Sequence, residues 1–312
     1  MINLKISVLF FFLSISYSAF PQDWVQLGSD IDGEISGDNS GQSVSISSDG
    51  SIVAIGAINN DGNGSNSGHV RVYEWNGSAW LQKGLDIDGE APGDQSGQSV
   101  SISSDGSIVA IGALNNDGNG SDAGHVRVYQ WYKGDSGFSF WRQLGGDIDG
   151  ETSGDKSGSS VFLSSDGSVV AIGAPDNAGG LGGGHVRVYE WNGTIWSQVG
   201  SDLDGKWGDE FGTSVALNND GKFISVGSPH FSKGLTEVFQ YVDGYWNNIA
   251  YLSGEGSFDY SGKVTAISGN GSIVVTSSNE NDGNVQNNFT NDVGHVRAVS
   301  YTHLTLPTNR EV

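Results

Sequence analysis

The chain contains no cysteine, one methionine and five prolines in 312 residues. Without thiols there are no disulfides and no thiolate metal centres, so burial and hydrogen bonding must hold the fold. Basic residues are also scarce: 14 Lys and Arg stand against 36 Asp and Glu, a net charge of −22. That balance excludes a nucleic-acid partner, because phosphate contacts need a basic face, and it favours solubility and the binding of cations or basic partners. Long apolar runs are confined to one place. Lys5, an apolar stretch from Ile6 to Ile15 and small residues at Ser16, Ser18 and Ala19 read as a secretory signal peptide over residues 1–19, with an uncleaved anchor as the other reading. No later segment approaches the length of a transmembrane helix, so a secreted or cell-surface location with no membrane span after cleavage is expected. Helical periodicity is missing from the mature chain as well.

What the chain has in place of these is one unit repeated. The tryptophans that open the W-x-Q-x-G segments, Trp24, Trp80, Trp141, Trp196 and Trp246, are separated by 56, 61, 55 and 50 residues. A period in this range marks a solenoid, propeller or array. Within the unit, SVSIS and SIVAIGA are short runs rich in Val and Ile separated by Asp105-Gly106, a pair that signals a type I′ hairpin turn. A polar Asn/Asp/Gly loop follows. HVRVYQW then alternates Val126 and Val128 with Arg127 and Tyr129, an amphipathic third strand. Asn76-Gly77 and Asn192-Gly193 read as the hairpins leading to a fourth. Four antiparallel strands per unit predict an all-β fold, a β-propeller of four-stranded blades over residues 24–299. Five units are visible, beginning at Asp38, Asp94, Asp155, Asp209 and Asp259. Residues 24–28 form an orphan outer strand, expected to close the ring in the last blade; the alternative is that it only starts an open array. Residues 300–312 fit no unit. They read as a non-repeat tail, either a sequence artefact that truncates a seven-bladed ring or a divergent terminus.

GDEFGTSVALNNDGKFISVGSP resembles the FG-GAP repeat of integrin alpha-subunit propellers, with Phe211-Gly212 as the FG and Gly227-Ser228-Pro229 as the GAP. Ile172-Gly173-Ala174-Pro175 matches the second half. Ser40-Gly41, Ser96-Gly97 and Ser157-Gly158 put Ser-Gly for Phe-Gly, as in the bacterial FG-GAP-like branch. The resemblance implies a module that binds ligands through loops on one rim. It also implies Ca²⁺ in the loop between the first two strands, but that loop is only SSDG or NNDG here, too short to wrap a cation with six to eight oxygens. Asp49, Asp105, Asp166 and Asp220 are therefore not taken as calcium ligands.

The candidate metal residues are the acidic linkers, DIDGE and its copies: Asp30, Asp32 and Glu34; Asp86, Asp88 and Glu90; Asp147, Asp149 and Glu151. Their alternating carboxylates offer hard oxygens to Ca²⁺, although the EF-hand spacing is unmet. Asx-type turns are the alternative reading. Lys206 replaces the Glu in the fourth copy. No cofactor is required on this reading. The Asn/Asp/Gly loops at 59–65 and 115–121 read as flexible connections. His69, His125, His185 and His295 share one repeat position, which Thr236 takes in the fourth unit. Blade symmetry keeps them from converging on one ion, so a structural hydrogen-bonding role is expected. The neighbouring Arg71, Arg127, Arg187 and Arg297 are expected to pack on aromatic faces across blades, and the repeated tryptophans to pack between outer strands. No nucleophile, base and acid set is visible, so catalytic residues are not nominated and an enzyme is not expected. The chain reads as an exported, non-catalytic binding or adhesion module with a protein or glycan ligand at a loop rim. The alternative is a carbohydrate-binding part of a polysaccharide-degrading enzyme.

Overall fold

The computed structural model describes residues 24–134, 137–177, 183–206, 208–256, 258–280 and 294–301. The signal-peptide expectation and the tail from residue 302 lie outside these residues. Among the described residues every regular element is a strand. The first unit holds β1 (Ser40–Ile46), β2 (Ile52–Ala57), β3 (His69–Trp75), β4 (Trp80–Gln82) and a two-residue β5 (Ile87–Asp88). The second repeats this as β6 (Ser99–Ile102), β7 (Ile108–Ala113), β8 (His125–Lys133), β9 (Ser139–Gln143) and β10 (Ile148–Asp149). The third runs through β11 (Ser160–Leu163), β12 (Val169–Ala174), β13 (His185–Trp191), β14 (Trp196–Gln198) and β15 (Leu203–Asp204). The fourth has β16 (Ser214–Leu217), β17 (Phe223–Ser228), β18 (Leu235–Val242) and β19 (Tyr245–Ser253), and the fifth β20 (Ser261–Ile267), β21 (Ile273–Ser278) and β22 (His295–Ser300). Each unit is an antiparallel meander, the blade of a propeller.

The linker strands β5, β10 and β15 are additions to the four-stranded expectation. Each pairs with the start of the third strand beyond the fourth, as Ile87 with Val70 and Asp88 with His69. The hairpin turns also differ from type I′. That turn needs positive φ at both central residues, whereas only Gly106 (φ 69°) has it, Asp105 being ordinary. Asp105 instead accepts from Ser103 Oγ and from the Ser107 amide, and Gly106 N–H donates to Ser103 O at 2.9 Å. The side chain thus satisfies donors that a two-residue turn would leave to the ladder.

Successive inner strands pack on one another, β1 on β6, β6 on β11, β11 on β16 and β16 on β20. This stacking explains why the second strands are apolar at consecutive positions: Ile108 to Ala113 are all buried, covered by a neighbouring blade on each face. It also sets what happens at the flank. Val100 and Ile102 of β6 are 9% and 8% exposed, while their counterparts Val44 and Ile46 of β1 are 64% and 59% exposed. Near the axis the turns are linked in order by backbone hydrogen bonds: Ser48 N–H donates to Ser104 O, Ser104 to Ser165, Ser165 to Asn219 and Asn219 to Gly269, at 2.8 to 3.0 Å. They line a central cavity of about 220 Å³.

The two glycines of the repeat meet across blades. A Cβ on Gly112 would lie 2.1 Å from the carbonyl oxygen of Gly158 in the next blade, and Gly56, Gly173 and Gly227 face Gly97, Gly212 and Gly262 in the same way. Ser43, Ser99, Ser160 and Ser214 donate to those same carbonyls at 2.6 to 2.9 Å. The FG and GAP halves are thus two sides of one backbone contact.

The outer edge is tied by tryptophan. Trp131 and Trp141 form a tilted pair with centroids 5.2 Å apart, repeated by Trp75–Trp80 and Trp191–Trp196. The indole N–H of Trp141 donates to Lys83 O of the preceding blade, as Trp196 does to Leu144 O and Trp246 to Val199 O. Packing between outer strands, expected from the repetition, is what these rings do. Trp80 reaches back to Leu27 O at 2.9 Å. Residues 24–28 therefore do not close the ring in the last blade. They form no strand, Trp24 is fully exposed, and Leu27 supplies the first blade with the carbonyl that a preceding blade gives the others. Replacing Trp141 by Phe keeps the ring pair and deletes the tie. The expected cost is about 1 kcal/mol, read as a lower urea midpoint at unchanged m; an unmoved midpoint would show that the tie is idle.

Candidate functional site

The linkers, the connections between second and third strands, and the histidines come together at one end of the blades, because each third strand begins where the second ends: Ala57 pairs with His69. The loops at this end are built rather than flexible. Asn60 takes Asp38 as acceptor through its amide while its own oxygen accepts from Gly62 N–H. Asn63 donates to the carbonyls of Gly89 and Glu90 in the next linker. The second unit repeats this with Asn116 on Asp94 and Asn119 on Gly150 and Glu151. Asp61 and Asp117 point outward and each accepts a loop amide, from Asn66 and Asp122.

The linker carboxylates do not gather within one linker, as a calcium loop would require. The structure splits them. Glu34 of one linker and Asp86 of the following linker approach the same buried histidine, His69, each with a carboxylate oxygen 3.9 Å from Nδ1. His125 lies 3.8 Å from both Glu90 and Asp147, and His185 lies 3.6 Å from Glu151 and joins Asp202. In each trio one nitrogen and two oxygens lie within 4.8 Å of one another. Of the nominated residues, Glu34, Asp86, Glu90, Asp147 and Glu151 are brought together this way. Asp30, Asp32, Asp88 and Asp149 stand outside these trios. Asp30 accepts from Gln26, and Asp32, Asp88 and Asp149 lend backbone carbonyls to the Nη2 of Arg71, Arg127 and Arg187. The sequence argument set the histidines aside because they cannot converge on one ion, and it did not nominate Asp202. The signal was present, since each histidine begins the strand that pairs with a linker, but linkers read as loops gave no reason to place it there.

The histidines are 1% exposed, whereas the Glu side chains are 41 to 45% exposed. The imidazole thus forms the floor of a cup whose carboxylate wall meets solvent. At four of these ring nitrogens the expected hydrogen bond is not made: Nδ1 of His69, both nitrogens of His125 and Nε2 of His185 have no hydrogen-bond partner. Burial, helped by the Arg127 guanidinium, lowers the pKa of His125 to about 4 against the pull of Asp147 and Asp94. Burial likewise lowers His69 and His185. Among the linker carboxylates, burial raises Asp88, Glu90 and Asp149. The arginines stack within their own strand, Arg71 over Tyr73 at 5.6 Å, rather than on a neighbouring blade. Their other end faces the linker: Arg127 Nη1 is 3.5 Å from Glu90.

The fourth unit is built differently. The pairing register sets Ser228 against Leu235, as Ala174 is set against His185, so Leu235 rather than Thr236 holds the histidine position. By the same register Glu237 stands where Arg187 does and Tyr251 where Asp202 does. Lys206 replaces the linker Glu and, through its charge, opposes the rise that burial imposes on Glu237. In the unit that lacks the histidine, a Glu and a Lys thus hold the positions that Arg and Glu hold in the others.

Residues 31–73 and 85–129, the first two units, match the FG-GAP repeat model. No curated protein matches the sequence. Among solved structures, the chain is similar to a periplasmic gluconolactonase of Pseudomonas aeruginosa, PpgL (15% identity, TM-score 0.50, 75% of this chain and 64% of that one). It is also similar to a functionally unknown protein of Desulfotomaculum acetoxidans (13% identity, TM-score 0.51, 75% and 61%). The chain spans less than two thirds of the length of either. At these identities the likeness is one of fold.

Proposed function

We infer that this FG-GAP-like repeat protein is an exported, non-catalytic binding or adhesion module that takes a basic or cation-bearing partner on its linker rim. The observation that supports the reading is the rim itself: exposed Glu34, Asp61, Glu90, Asp117, Asp147 and Glu151 repeat at one end of the blades, on loops fixed by hydrogen bonds to the next linker. A rigid acidic surface steers a basic partner and lowers the ordering cost of binding. The gluconolactonase likeness brings a competing reading, catalysis on a sugar lactone, which no cluster of this chain's described residues favours over binding.

The test is binding of immobilised protein to a panel of extracellular proteins and glycans at low and high salt, with lactone and polysaccharide turnover assayed in parallel. Saturable binding that weakens with salt, and weakens again in Asp61→Asn/Asp117→Asn, is expected. Each variant keeps the oxygen that accepts the loop amide, so the loop should hold while charge is lost. Binding indifferent to both changes, or turnover by the chain, would sink this reading.

A further inference from the structure

We propose that each histidine-floored cup is a site for a divalent transition cation of the Zn²⁺ class: His69 with Glu34 and Asp86, His125 with Glu90 and Asp147, and His185 with Glu151 and Asp202. Buried polar atoms are almost always hydrogen-bonded, yet Nδ1 of His69 and of His125 is not, and it faces two carboxylate oxygens at 3.8 to 3.9 Å. Such spacings are too long for hydrogen bonds. They suit ligands that share an ion: two atoms about 2.1 Å from a tetrahedral metal lie about 3.4 Å apart, close to the 3.6 to 3.9 Å here.

The donor set names the class of ion. One imidazole and two monodentate carboxylates suit Zn²⁺ and its first-row neighbours, while Ca²⁺ and Mg²⁺ ask for six or more oxygens or near-complete octahedra of oxygen. The half-exposed carboxylate wall leaves room for water as the remaining ligand. Two carboxylates balance a divalent charge, and the nearby arginine holds the other oxygen of the Glu, 3.5 Å away in the second unit, fixing which oxygen faces the histidine. The fourth unit supplies an independent observation. Where the histidine position is Leu235, the two acidic positions are Lys206 and Tyr251 as well, and the arginine position is Glu237. Ligands and orienting residue are lost as a set, which residues serving separate turns have no reason to do.

The inference does not depend on the rim having a partner, since metal content is read on the isolated chain. The protein is stripped with EDTA and titrated with Zn²⁺ by calorimetry at about 0.15 M salt, where loose counterions are screened, and bound metal is counted after gel filtration. Three equivalents are expected in the parent chain. Each of His69→Leu, His125→Leu and His185→Leu, which copy the fourth unit, should remove one, and Glu90→Gln should weaken one without touching the buried ring. His230→Ala, outside the cups, should change nothing, and excess Ca²⁺ should not displace Zn²⁺. A stoichiometry that stays the same when the three histidines and Glu90 are replaced, at zero or at any other value, would overturn the proposal and leave at most an adventitious ion on an acidic surface.

Discussion

Gly112→Ala is expected to cost about 3 kcal/mol and to lower the thermal midpoint by several degrees. Its new methyl would sit 2.1 Å from Gly158 O and 2.4 Å from Ser99 Oγ, the hydroxyl that itself holds that carbonyl at 2.7 Å. The obstacle is backbone, which cannot swing aside, so the second and third blades must part. Overpacking of this kind costs about 1–3 kcal/mol, and loss of the hydroxyl bond adds about 1 kcal/mol. Gly146→Ala is the control, with nothing within 4 Å of the added Cβ, and should stay within about 0.5 kcal/mol of the parent. Equal midpoints for the two variants would show that the blades do not bear on one another at this glycine.

Acid should cost the fold a comparable amount through His125. Burial lowers its pKa from the ordinary imidazole value near 6.5 to about 4 on folding. Above pH 6.5 the ring is neutral in both states and contributes nothing. Between pH 6.5 and 4 the unfolded chain takes up a proton that the folded chain refuses, so stability drops with pH, by about 3 kcal/mol once pH is below 4. Two effects run the other way. Asp88, Glu90 and Asp149, raised by burial, are relieved as they protonate, and the net charge of −22 shrinks in acid, easing repulsion. The quantity to measure is therefore the difference between the parent and His125→Asn in urea midpoint from pH 7 to 4, in EDTA. The groups facing the ring, Arg127, Glu90, Asp94 and Asp147, are common to both proteins. The difference should grow in the variant's favour as pH falls. A difference that stays constant across that range would mean that the ring titrates alike in both states.

Much of the fold was legible because the information was repeated. The period, the apolar runs of the second strands and the alternation of HVRVYQW each recur several times, so a chance pattern in one copy is corrected by the others. The failures came where a residue's role depends on a neighbour outside its own unit. Residues 24–28 carry the sequence of an outer strand, but they form none and serve as an acceptor for Trp80. Asp105-Gly106 has the composition of a two-residue turn, but Ser103 and Ser107 hand their donors to the carboxylate and widen it. The linkers were read one at a time as cation loops. The trio at His125 draws one carboxylate from the linker before its strand and one from the linker after it, an arrangement that spacing within either linker cannot disclose.

The ties between units use the same atoms each time: a serine hydroxyl to the next glycine carbonyl, an indole to the preceding blade's carbonyl, and a turn amide to the next turn. Each unit therefore carries a standard plug and a standard socket. A gene that gains or loses one period in frame yields a chain whose new junction has the same partners as the old ones, so copy number in such a protein is free to drift by recombination while the seams stay sound. Rim residues can then differ unit by unit without disturbing the seams, as Leu235, Lys206 and Tyr251 do in the fourth unit.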